Sequence, residues 1–339
     1  MSETKRVRVG VIGAGGMCNS VHLPSLRDMD DVEVVALCDL VEEKARRTAE
    51  KFKVPKTYVS YHQMLAQETL DAVFCLVEPS NHFHVVIACL NAGLDTFMEK
   101  PPGISLYQAE SMMRKAEEKG RLLMVGFNRR YIPLVREVKK AFDAITHVTQ
   151  VEGCFFKYGT GAFDRGGLSA FESDTIHAVD LVRTLAGATP VEAYTLTAAN
   201  QEPVVNAWNA VTRFDNGTIG IVKANYRTGG RVHCFEIHGP GASAFINLGM
   251  GGAQCEALLL RHDGKQQYSL SAGAAGGDSN AYFSGTALAG SDQFYRFYGF
   301  YQEDRHFIDC VKSRQVPETA IQDAVKSFRY VDLILRNAR

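Results

Sequence analysis

The stretch from Val7 to Pro24, VRVGVIGAGGMCNSVHLP, constrains the fold of this chain more than any other. It opens with a β-branched apolar run that is typical of a strand buried on both faces of a parallel sheet. Gly13, Gly15 and Gly16 then interrupt the strand before a segment that can begin a helix. Free backbone N–H groups and the positive end of a helix dipole meet at such a turn, which suits a pyrophosphate. The pattern therefore predicts a dinucleotide-binding strand, turn and helix.

The match to G-x-G-x-x-G is incomplete, because Cys18 occupies the third glycine position. A small thiol can still pack closely under the sheet, so we expect the turn to keep its function. Glycine turns also arise for purely structural reasons, and the motif alone is weak. Its place directly after the first strand is what makes it informative.

An acidic residue, Asp39, follows the next apolar run about 20 residues beyond the turn. A carboxylate there can accept both hydroxyls of an adenosine ribose and would repel a 2′-phosphate. The alternative is a solvated turn aspartate. Leu40 and Val41 offer no arginine for a 2′-phosphate, although Arg46 and Arg47 lie further along. The sequence thus favours NAD over NADP.

The bulk composition limits the class of protein. The chain has 339 residues, which suits two domains better than one. Its net charge is −1 and it has no basic block, which argues against nucleic acid as a partner. We expect no signal peptide and no membrane segment, because residues 1–6 are polar and no apolar stretch is long enough. The eight cysteines are scattered without a C-x-x-C pair and predict reduced thiols in the cytoplasm.

Helical and apolar segments alternate along the first half of the chain. The spacing predicts helices over 40–52, over 80–92 with Ser80 or Asn81 as its cap, and over 105–119 with Gly120 closing it. Apolar strands are predicted over 71–77, 94–98 and 122–126. This alternation is typical of an α/β, doubly wound parallel sheet that binds ligands at the carboxyl ends of its strands.

Those carboxyl ends carry the candidate ligand-binding residues. Lys100 directly follows a buried strand, whereas lysines normally lie on solvated helix faces. It could hold a substrate hydroxyl or transfer a proton; the alternative is an ion pair with Glu99 or another carboxylate at a domain seam. The predicted cofactor-binding residues are Gly13, Gly15, Gly16, Met17, Cys18, Asp39, Val77, Pro79, Asn81, Glu99, Lys100 and Arg129.

The chain resembles the Gfo/Idh/MocA oxidoreductases, the family that includes glucose–fructose oxidoreductase and inositol 2-dehydrogenase. The matching stretches are GAGGMCNSVHLP, ALCDL, NAGLDTFMEKPPGIS, GFNRRYIP, SDTIHAVDLVRTLAG, FDNGTIG, FEIHGPGASAFINL and HFIDCVKSR. The most specific feature is Glu99-Lys100-Pro101 at its distance from the glycine turn, followed by His177 in a helix. The resemblance implies a Rossmann domain over 1–127 and, over 128–339, an α+β substrate-binding and oligomerisation domain with a large, mostly antiparallel sheet.

Two positions depart from the family's pattern. The family usually has Thr-Pro-Asn before the fourth-strand helix and a histidine shortly after it. Here the sequence is Glu78-Pro79-Ser80-Asn81-His82, so either His82 or His84 is the counterpart and their roles stay open. Where many members have an aspartate four residues before the active-site histidine, this chain has Ser173, and Asp174 lies three residues before.

The second half places a candidate acid–base group on a helix. Residues 148–158 begin as an alternating strand, and the glycine-rich residues 159–167 predict a loop over the site. A helix over 172–185, closed by Gly187, would bring Asp174, His177 and Asp180 to one face. A carboxylate beside an imidazole fixes its tautomer and raises its basicity. The alternatives are a satisfied buried histidine and a metal site, although the family is metal-independent and we expect none.

The remaining segments predict a sheet and its cover. Short alternating strands run from 191 to 248, with a hairpin signal at Asp215-Asn216-Gly217. A broad sheet with helices on one face needs cover on the other, so we expect a homodimer or homotetramer. Residues 272–290 are expected to form a loop. The aromatic-rich residues 293–301 are expected to lie in the core or in a subunit contact, and residues 320–335 to form a closing helix.

The leading functional hypothesis is reversible oxidation of a secondary alcohol on a sugar, cyclitol or sugar acid. NAD would lie along the strand ends, with its nicotinamide at the domain seam near Lys100. His177 would be the base, tuned by Asp174, while Lys100 orients the hydroxyl; the reverse, with Lys100 as base, stays open. The candidate substrate contacts are Lys100, Asn128, Tyr158, Asp174 and His177, with Arg129 as a further one.

Two other functions remain compatible with these residues. Some relatives oxidise a sugar transiently, eliminate the glycosidic group and reduce the product again, so the net reaction is hydrolysis. A non-catalytic protein that senses nicotinamide or sugar is the other alternative. The sequence does not identify the substrate, because specificity would come from residues 159–167 and the sheet face.

Overall fold

A computed structural model describes residues 6–159, 164, 165, 167–250, 254–262 and 280–339. The chain divides into two compact units. The first comprises residues 1–128, 164–168 and 293–329, and the second comprises residues 129–163, 169–292 and 330–339. The sequence prediction placed the boundary after 127 and assigned everything beyond it to the second domain, whereas residues 293–329 join the first unit.

The strands are numbered in chain order. They are β1 (Val7–Ile12), β2 (Val32–Cys38), β3 (Lys56–Tyr58), β4 (Ala72–Cys75), β5 (Asp95–Glu99), β6 (Leu123–Gly126), β7 (Gln150–Tyr158), β8 (Asp164–Arg165), β9 (Leu168–Ser169), β10 (Pro190–Ala198), β11 (Ala207–Phe214), β12 (Ile219–Asn225), β13 (Arg227–Gly239), β14 (Ala242–Leu248), β15 (Cys255–Arg261) and β16 (Ala281–Ser284).

The helices are numbered in the same way. They are α1 (Leu23–Arg27), α2 (Glu42–Phe52), α3 (Tyr61–Gln67), α4 (Pro79–Asn91), α5 (Leu106–Lys119), α6 (Pro133–Asp143), α7 (Ile176–Ala186), α8 (Gly285–Ala289), α9 (Phe294–Phe297), α10 (Phe300–Ser313) and α11 (Ile321–Arg336). Two π-helical turns, Cys18–His22 and Phe171–Thr175, lead into α1 and α7, and Asn128–Tyr131 form a 3₁₀ turn.

The first unit contains the predicted doubly wound sheet. Its six strands are parallel and lie in the order β3-β2-β1-β4-β5-β6. The apolar runs of β1, β4 and β5 are buried, as expected for strands covered on both faces. The strand order reverses beside β1, and the crevice at such a reversal is where dinucleotides bind in this architecture.

Several predicted helix ends are confirmed. Ser105 Oγ accepts the Gln108 N–H at the start of α5, and Gly120 closes that helix with a φ of 60°. Gly187 closes α7 in the same left-handed conformation, with a φ of 63°. The closing helix is present as α11.

Other local predictions need correction. Helix α4 begins at Pro79, so Ser80 and Asn81 lie inside its first turn and do not cap it; the fixed φ of proline already suits a first helical position. The helix expected over 172–185 opens as a π-helical turn before α7. Residues 281–289 form β16 and α8 where a loop was expected, and 272–279 lie outside the described residues.

The loop predicted over 159–167 also lies largely outside the described residues. The backbones of Asp164–Arg165 and Leu168–Ser169 pair as β8 and β9. The aromatic-rich stretch forms α9 and the start of α10, where Tyr295, Tyr298 and Phe300 are buried as core residues of the first unit.

The second unit contains the broad sheet. Its eight strands lie in the order β10-β11-β12-β7-β13-β14-β15-β16, and every neighbouring pair is antiparallel except β12 with β7. Helix α7 packs on β7 and β12, where a Cβ at Gly153 would lie 2.9 Å from the Val182 side chain. Within the described residues, no helix is both long and apolar enough to cross a membrane.

Candidate functional site

The turn after β1 requires glycine at its first position. Gly13 has a φ of 103° and donates its N–H to the Cys38 carbonyl at 2.7 Å. A Cβ built at Gly13 would lie 2.4 Å from the carbonyl oxygen of Leu76. A side chain would therefore clash with rigid backbone as well as strain the turn. The turn is held between the ends of β2 and β4, the two neighbours of β1.

The next two glycines of the turn face open space. A Cβ built at Gly15 or Gly16 has no described atom within 4 Å, and both residues are exposed, as is Met17. Helical backbone begins at Gly16, and the first N–H groups of a helix have no partner within the helix. The bare backbone forms a cradle that suits an anionic phosphate and that side chains at these positions would fill.

Cys18 is buried at the start of the π-helical turn. Its burial, together with the nearby Asp39 carboxylate, raises the pKa of the thiol to about 12. The residue at the third glycine position is therefore a neutral packing group at neutral pH.

Asp39 lies directly after β2 and folds back onto the glycine turn. Its Oδ2 accepts the Ala14 N–H at 2.8 Å, and its Oδ1 accepts the Val41 N–H at 2.8 Å. The carboxylate thus lies beside the turn, partly exposed, with lone pairs left for further donors. The next side chain, Leu40, is 83% exposed and carries no charge.

The residues after β4 separate into exposed and buried groups. Val77 and Pro79 are half-buried, and Asn81 is exposed on the first turn of α4. His82 is buried, and its Nδ1 lies 3.0 Å from the Pro101 carbonyl oxygen. Burial lowers the pKa of His82 to about 4, so the imidazole is neutral and donates that hydrogen bond. His84 is exposed, which leaves His82 as the histidine with a structural partner near Lys100.

The end of β5 carries the Glu99-Lys100-Pro101 sequence. Glu99 is buried, with Oε1 3.0 Å from His22 Nε2 and Oε2 accepting the Lys100 N–H at 3.1 Å. Lys100 itself is half-buried. Asn128, after β6, is buried and donates from Nδ2 to the Tyr298 carbonyl at 2.9 Å.

In the second unit, Asp174 and His177 lie at the junction of the π-helical turn and α7. The Asp174 carboxylate pairs with Lys157 Nζ and lies 3.4 Å from the Tyr226 hydroxyl. Burial, with the Asp174 charge, raises the pKa of Tyr226 well above 10, so this phenol is a neutral donor. His177 is buried to 8% exposure.

Asp180 belongs to a different cluster. Its carboxylate is 1% exposed and accepts from Arg130 Nε at 2.8 Å and from Arg130 Nη2 at 2.5 Å. Asp174 and Asp180 thus each form an ion pair with a basic residue from another element, Lys157 and Arg130. Both carboxylates already have cationic partners, which disfavours a shared metal ion.

Arg129 and His233 form a buried group on the inner face of the second sheet. Arg129 Nη2 lies 3.3 Å from His233 Nδ1, and the His233 ring stacks on Phe155 with centroids 4.0 Å apart. The guanidinium of Arg129 lies 5.3 Å from the same phenyl ring. Tyr158, at the end of β7, is 62% exposed.

Sequence reasoning missed three of these residues: Lys157, Tyr226 and His233. One signal was present for His233, because it alternates with the inward-facing Phe235 and Ile237 along β13. Lys157 and Tyr226 had no comparable signal, since both meet Asp174 of the π-helical turn, which lies 17 and 52 residues away from them along the chain.

Comparison with known proteins identifies the family. Residues 7–127 match the family model described as "Oxidoreductase family, NAD-binding Rossmann fold", and residues 139–245 match the "GFO/IDH/MocA C-terminal domain". The chain belongs to the GFO/IDH/MocA oxidoreductase family. Both halves of the predicted resemblance are thereby confirmed.

Named relatives of this GFO/IDH/MocA chain include two dehydrogenases. It is 27% identical to myo-inositol 2-dehydrogenase of Thermotoga maritima over 65% of this chain and 69% of that protein. It is 32% identical to D-apiose dehydrogenase of Paraburkholderia graminis over 41% of this chain and 37% of that protein. A solved dehydrogenase structure from Chromobacterium violaceum has the same fold, with a TM-score of 0.85, 19% identity and coverage of 98% and 96% of the two chains.

The glycine turn fits the NAD that the family description names. The open space at Gly15 and Gly16 suits the pyrophosphate, and the Asp39 carboxylate beside the turn suits the hydroxyls of a ribose.

Proposed function

We propose that this protein is a dehydrogenase that transfers a hydride between NAD and a secondary alcohol of a sugar, cyclitol or sugar acid. The observation that carries the proposal is the glycine turn, whose open backbone at Gly15 and Gly16 lies beside the Asp39 carboxylate. Family membership supports the reaction type, and the names of the inositol and apiose relatives support the substrate class.

NAD is proposed over NADP on electrostatic grounds. A 2′-phosphate on the ribose would meet the Asp39 carboxylate, which is a repulsive contact. One candidate counter-charge on α2, Arg46, already binds Glu43 at 3.0 Å and Glu50 at 2.6 Å. Breaking those bonds to bind a phosphate would reduce the gain from the new contact.

Lys100 and His177 are proposed to carry the chemistry. NAD held at the glycine turn would supply the hydride acceptor for the carbinol carbon, and loss of the hydroxyl proton to a base would complete the oxidation to a carbonyl. His177 takes that proton, and Lys100 holds the oxygen and stabilises its developing negative charge. Asp174 acts on this arrangement through Lys157 and Tyr226, to which it is bound.

The remaining candidate contacts receive different proposed roles. Tyr158 is exposed and can contact substrate directly. Asn128 and Arg129 are buried and engaged with Tyr298 and His233, so we assign them a supporting role around the site.

We also propose that the protein works in the cytoplasm as a homodimer or as a homotetramer built from two dimers. The outward face of the second sheet exposes large apolar side chains, among them Val211, Phe245 and Tyr282. A second copy of the same face would cover them. Light scattering after gel filtration tests this, and a monomer at all concentrations contradicts it. All eight cysteines are free thiols, which suits a reducing compartment.

The test of function begins with a screen of inositols, other polyols, sugars and sugar acids for reduction of NAD. Lys100→Met and His177→Ala are then assayed with the best substrate, and the dissociation constant of NAD is measured separately. Loss of turnover with retained NAD affinity supports the proposal. Turnover near that of the wild type in both variants contradicts it. Lys119→Met and His262→Ala, which alter exposed residues of the same types, are the matched controls.

A further inference from the structure

Three ionisable side chains meet in the core of the first unit. His22 Nδ1 lies 3.0 and 3.1 Å from the two carboxylate oxygens of Asp304, and His22 Nε2 lies 3.0 Å from Glu99 Oε1. The side chains of His22 and Asp304 have no exposed surface, and that of Glu99 is 9% exposed. The three residues come from the π-helical turn after the glycine turn, the end of β5 and α10.

The two flanking carboxylates favour protonation of this histidine, while burial raises the pKa of Asp304. Burial alone would lower the pKa of His22, but the two flanking carboxylates raise it well above its ordinary 6.5. Burial would likewise raise the pKa of Glu99, yet the hydrogen bond from His22 and its positive charge lower it. Both ring nitrogens therefore donate to carboxylates, and the two hydrogen bonds are charge-assisted and directional.

Stability alone does not explain a cluster of this kind. Three phenyl rings surround the His22 ring. Its centroid lies 5.2 Å from that of Phe97 and 6.0 Å from those of Phe74 and Phe300. Removing ions from water into such an apolar setting is costly, and well-packed apolar replacements of buried ion clusters are often neutral or stabilising. We therefore look for the role of the cluster in the residues whose positions it fixes.

What it holds in place is the segment that contains Lys100. The second Glu99 oxygen accepts the Lys100 N–H at 3.1 Å, and on the other side His82 donates to the Pro101 carbonyl at 3.0 Å. Strand β5 ends at Glu99, and residues 100–105 have no helical or strand backbone. The backbone on both sides of Lys100 is therefore held by hydrogen bonds from buried side chains.

We propose that Asp304 and His22 are positioning residues that act through Glu99 to fix where Lys100 lies. The inference rests on the proposed function, because it gives Lys100 a role in the reaction. It also changes the role expected for Glu99, whose two oxygens are engaged inside the protein, from a cofactor contact to a link in this chain of hydrogen bonds.

A matched pair of substitutions at His22 tests the proposal. The amide nitrogen of glutamine can occupy the place of Nε2 and still donate to Glu99, whereas asparagine reaches only the place of Nδ1 and donates to Asp304. Both variants replace the imidazole with a neutral amide at the same buried site. We expect His22→Gln, which keeps the donor to Glu99 but loses the hydrogen bond to Asp304, to lose about tenfold in kcat at most. We expect His22→Asn, which leaves Glu99 without that donor, to lose about a hundredfold, the usual effect of a misplaced reacting group.

The measurements are kcat with NAD and myo-inositol, or with the best polyol of the screen, the dissociation constant of NAD, and the folded fraction from thermal unfolding. A loss of kcat in His22→Asn with NAD affinity and folding retained supports the proposal. Equal kcat values in folded His22→Asn and His22→Gln overturn it, because a purely structural role would not distinguish the two.

A second variant keeps the test open if His22→Asn does not fold. In Asp304→Leu, an apolar side chain replaces the carboxylate in apolar surroundings and removes the acceptor for His22 Nδ1. We expect about a tenfold loss of kcat. A kcat equal to that of the wild type overturns the proposal. The Lys100→Met variant separates the two levels of inference. If Lys100→Met retains turnover, the proposed function fails; if it loses turnover while folded Asp304→Leu does not, the positioning role alone fails.

Discussion

Removing His233 should change how the second unit responds to acid. Its ring is buried against Phe155, with centroids 4.0 Å apart and planes inclined by 18°, and Nδ1 lies 3.3 Å from Arg129. Burial first, and then the positive charges of Arg129 and Arg231, lower the pKa of His233 to about 2. The folded protein therefore keeps this imidazole neutral at every pH at which it is stable.

The size of the effect follows from that shift. Below pH 6.5 the unfolded chain binds a proton at His233 that the folded chain excludes. A group whose pKa is lowered on folding loses its stabilising contribution as pH falls, here by about 1.4 kcal/mol per pH unit. Between pH 6.5 and about pH 4 the free energy of unfolding should fall by about 3 kcal/mol from this residue alone.

Urea unfolding at a series of pH values measures the slope. The single tryptophan, Trp208, is buried in the second unit, so its fluorescence reports unfolding of the unit that contains His233. We expect His233→Gln to reduce the acid slope by about 1.4 kcal/mol per pH unit, whatever its stability at neutral pH. His262→Gln, which alters an exposed histidine of the same unit, is the control. If His233→Gln and the wild type have the same slope, the reasoning is wrong.

Three further predictions concern the glycine turn and α7, the helix that contains His177. Gly13→Ala places a Cβ 2.4 Å from the Leu76 carbonyl at a φ of 103°, so we expect a loss of about 2 kcal/mol or more in urea unfolding and weakened NAD binding. Asp39→Ala should weaken NAD binding about tenfold and reduce the preference for NAD over NADP. Calorimetric titration of both cofactors measures this. An unchanged ratio of the two dissociation constants contradicts a contact between Asp39 and the ribose. Asp180→Ala leaves Arg130 buried without its carboxylate partner, and we expect a cost of about 3–5 kcal/mol in Trp208 fluorescence unfolding. A cost below about 1 kcal/mol would show that water reaches this arginine in the folded protein.

The first unit was largely predictable because its signals are local. Apolar β-branched runs, the glycine turn and a carboxylate after the second strand each depend on neighbouring residues, and all were found in the expected order. The predicted start of α4 was wrong, because the fixed φ of Pro79 suits the first helical position and Ser80 is not needed as a cap. Glycine ends such as Gly120 and Gly187 were predicted because a left-handed residue leaves few alternatives.

The candidate site was less predictable because its contacts are long-range. His22 and Asp304 are 282 residues apart, and nothing in either neighbourhood indicates that they meet. Asp174 was predicted to tune His177, and the ion pair that its carboxylate forms with Lys157 of β7 was not foreseen. Helical spacing predicts which residues share a face of one helix. It does not predict which residues of other elements bind those side chains.

The central claim is that a hydride passes directly between a secondary carbinol carbon and the nicotinamide. It is tested by giving the enzyme NAD and the best polyol of the screen with deuterium on the carbinol carbon, then analysing the nicotinamide by mass spectrometry. We expect one deuterium in the reduced nicotinamide for each ketone formed. Ketone or hydrolysis product formed without deuterium in the cofactor pool would contradict the claim.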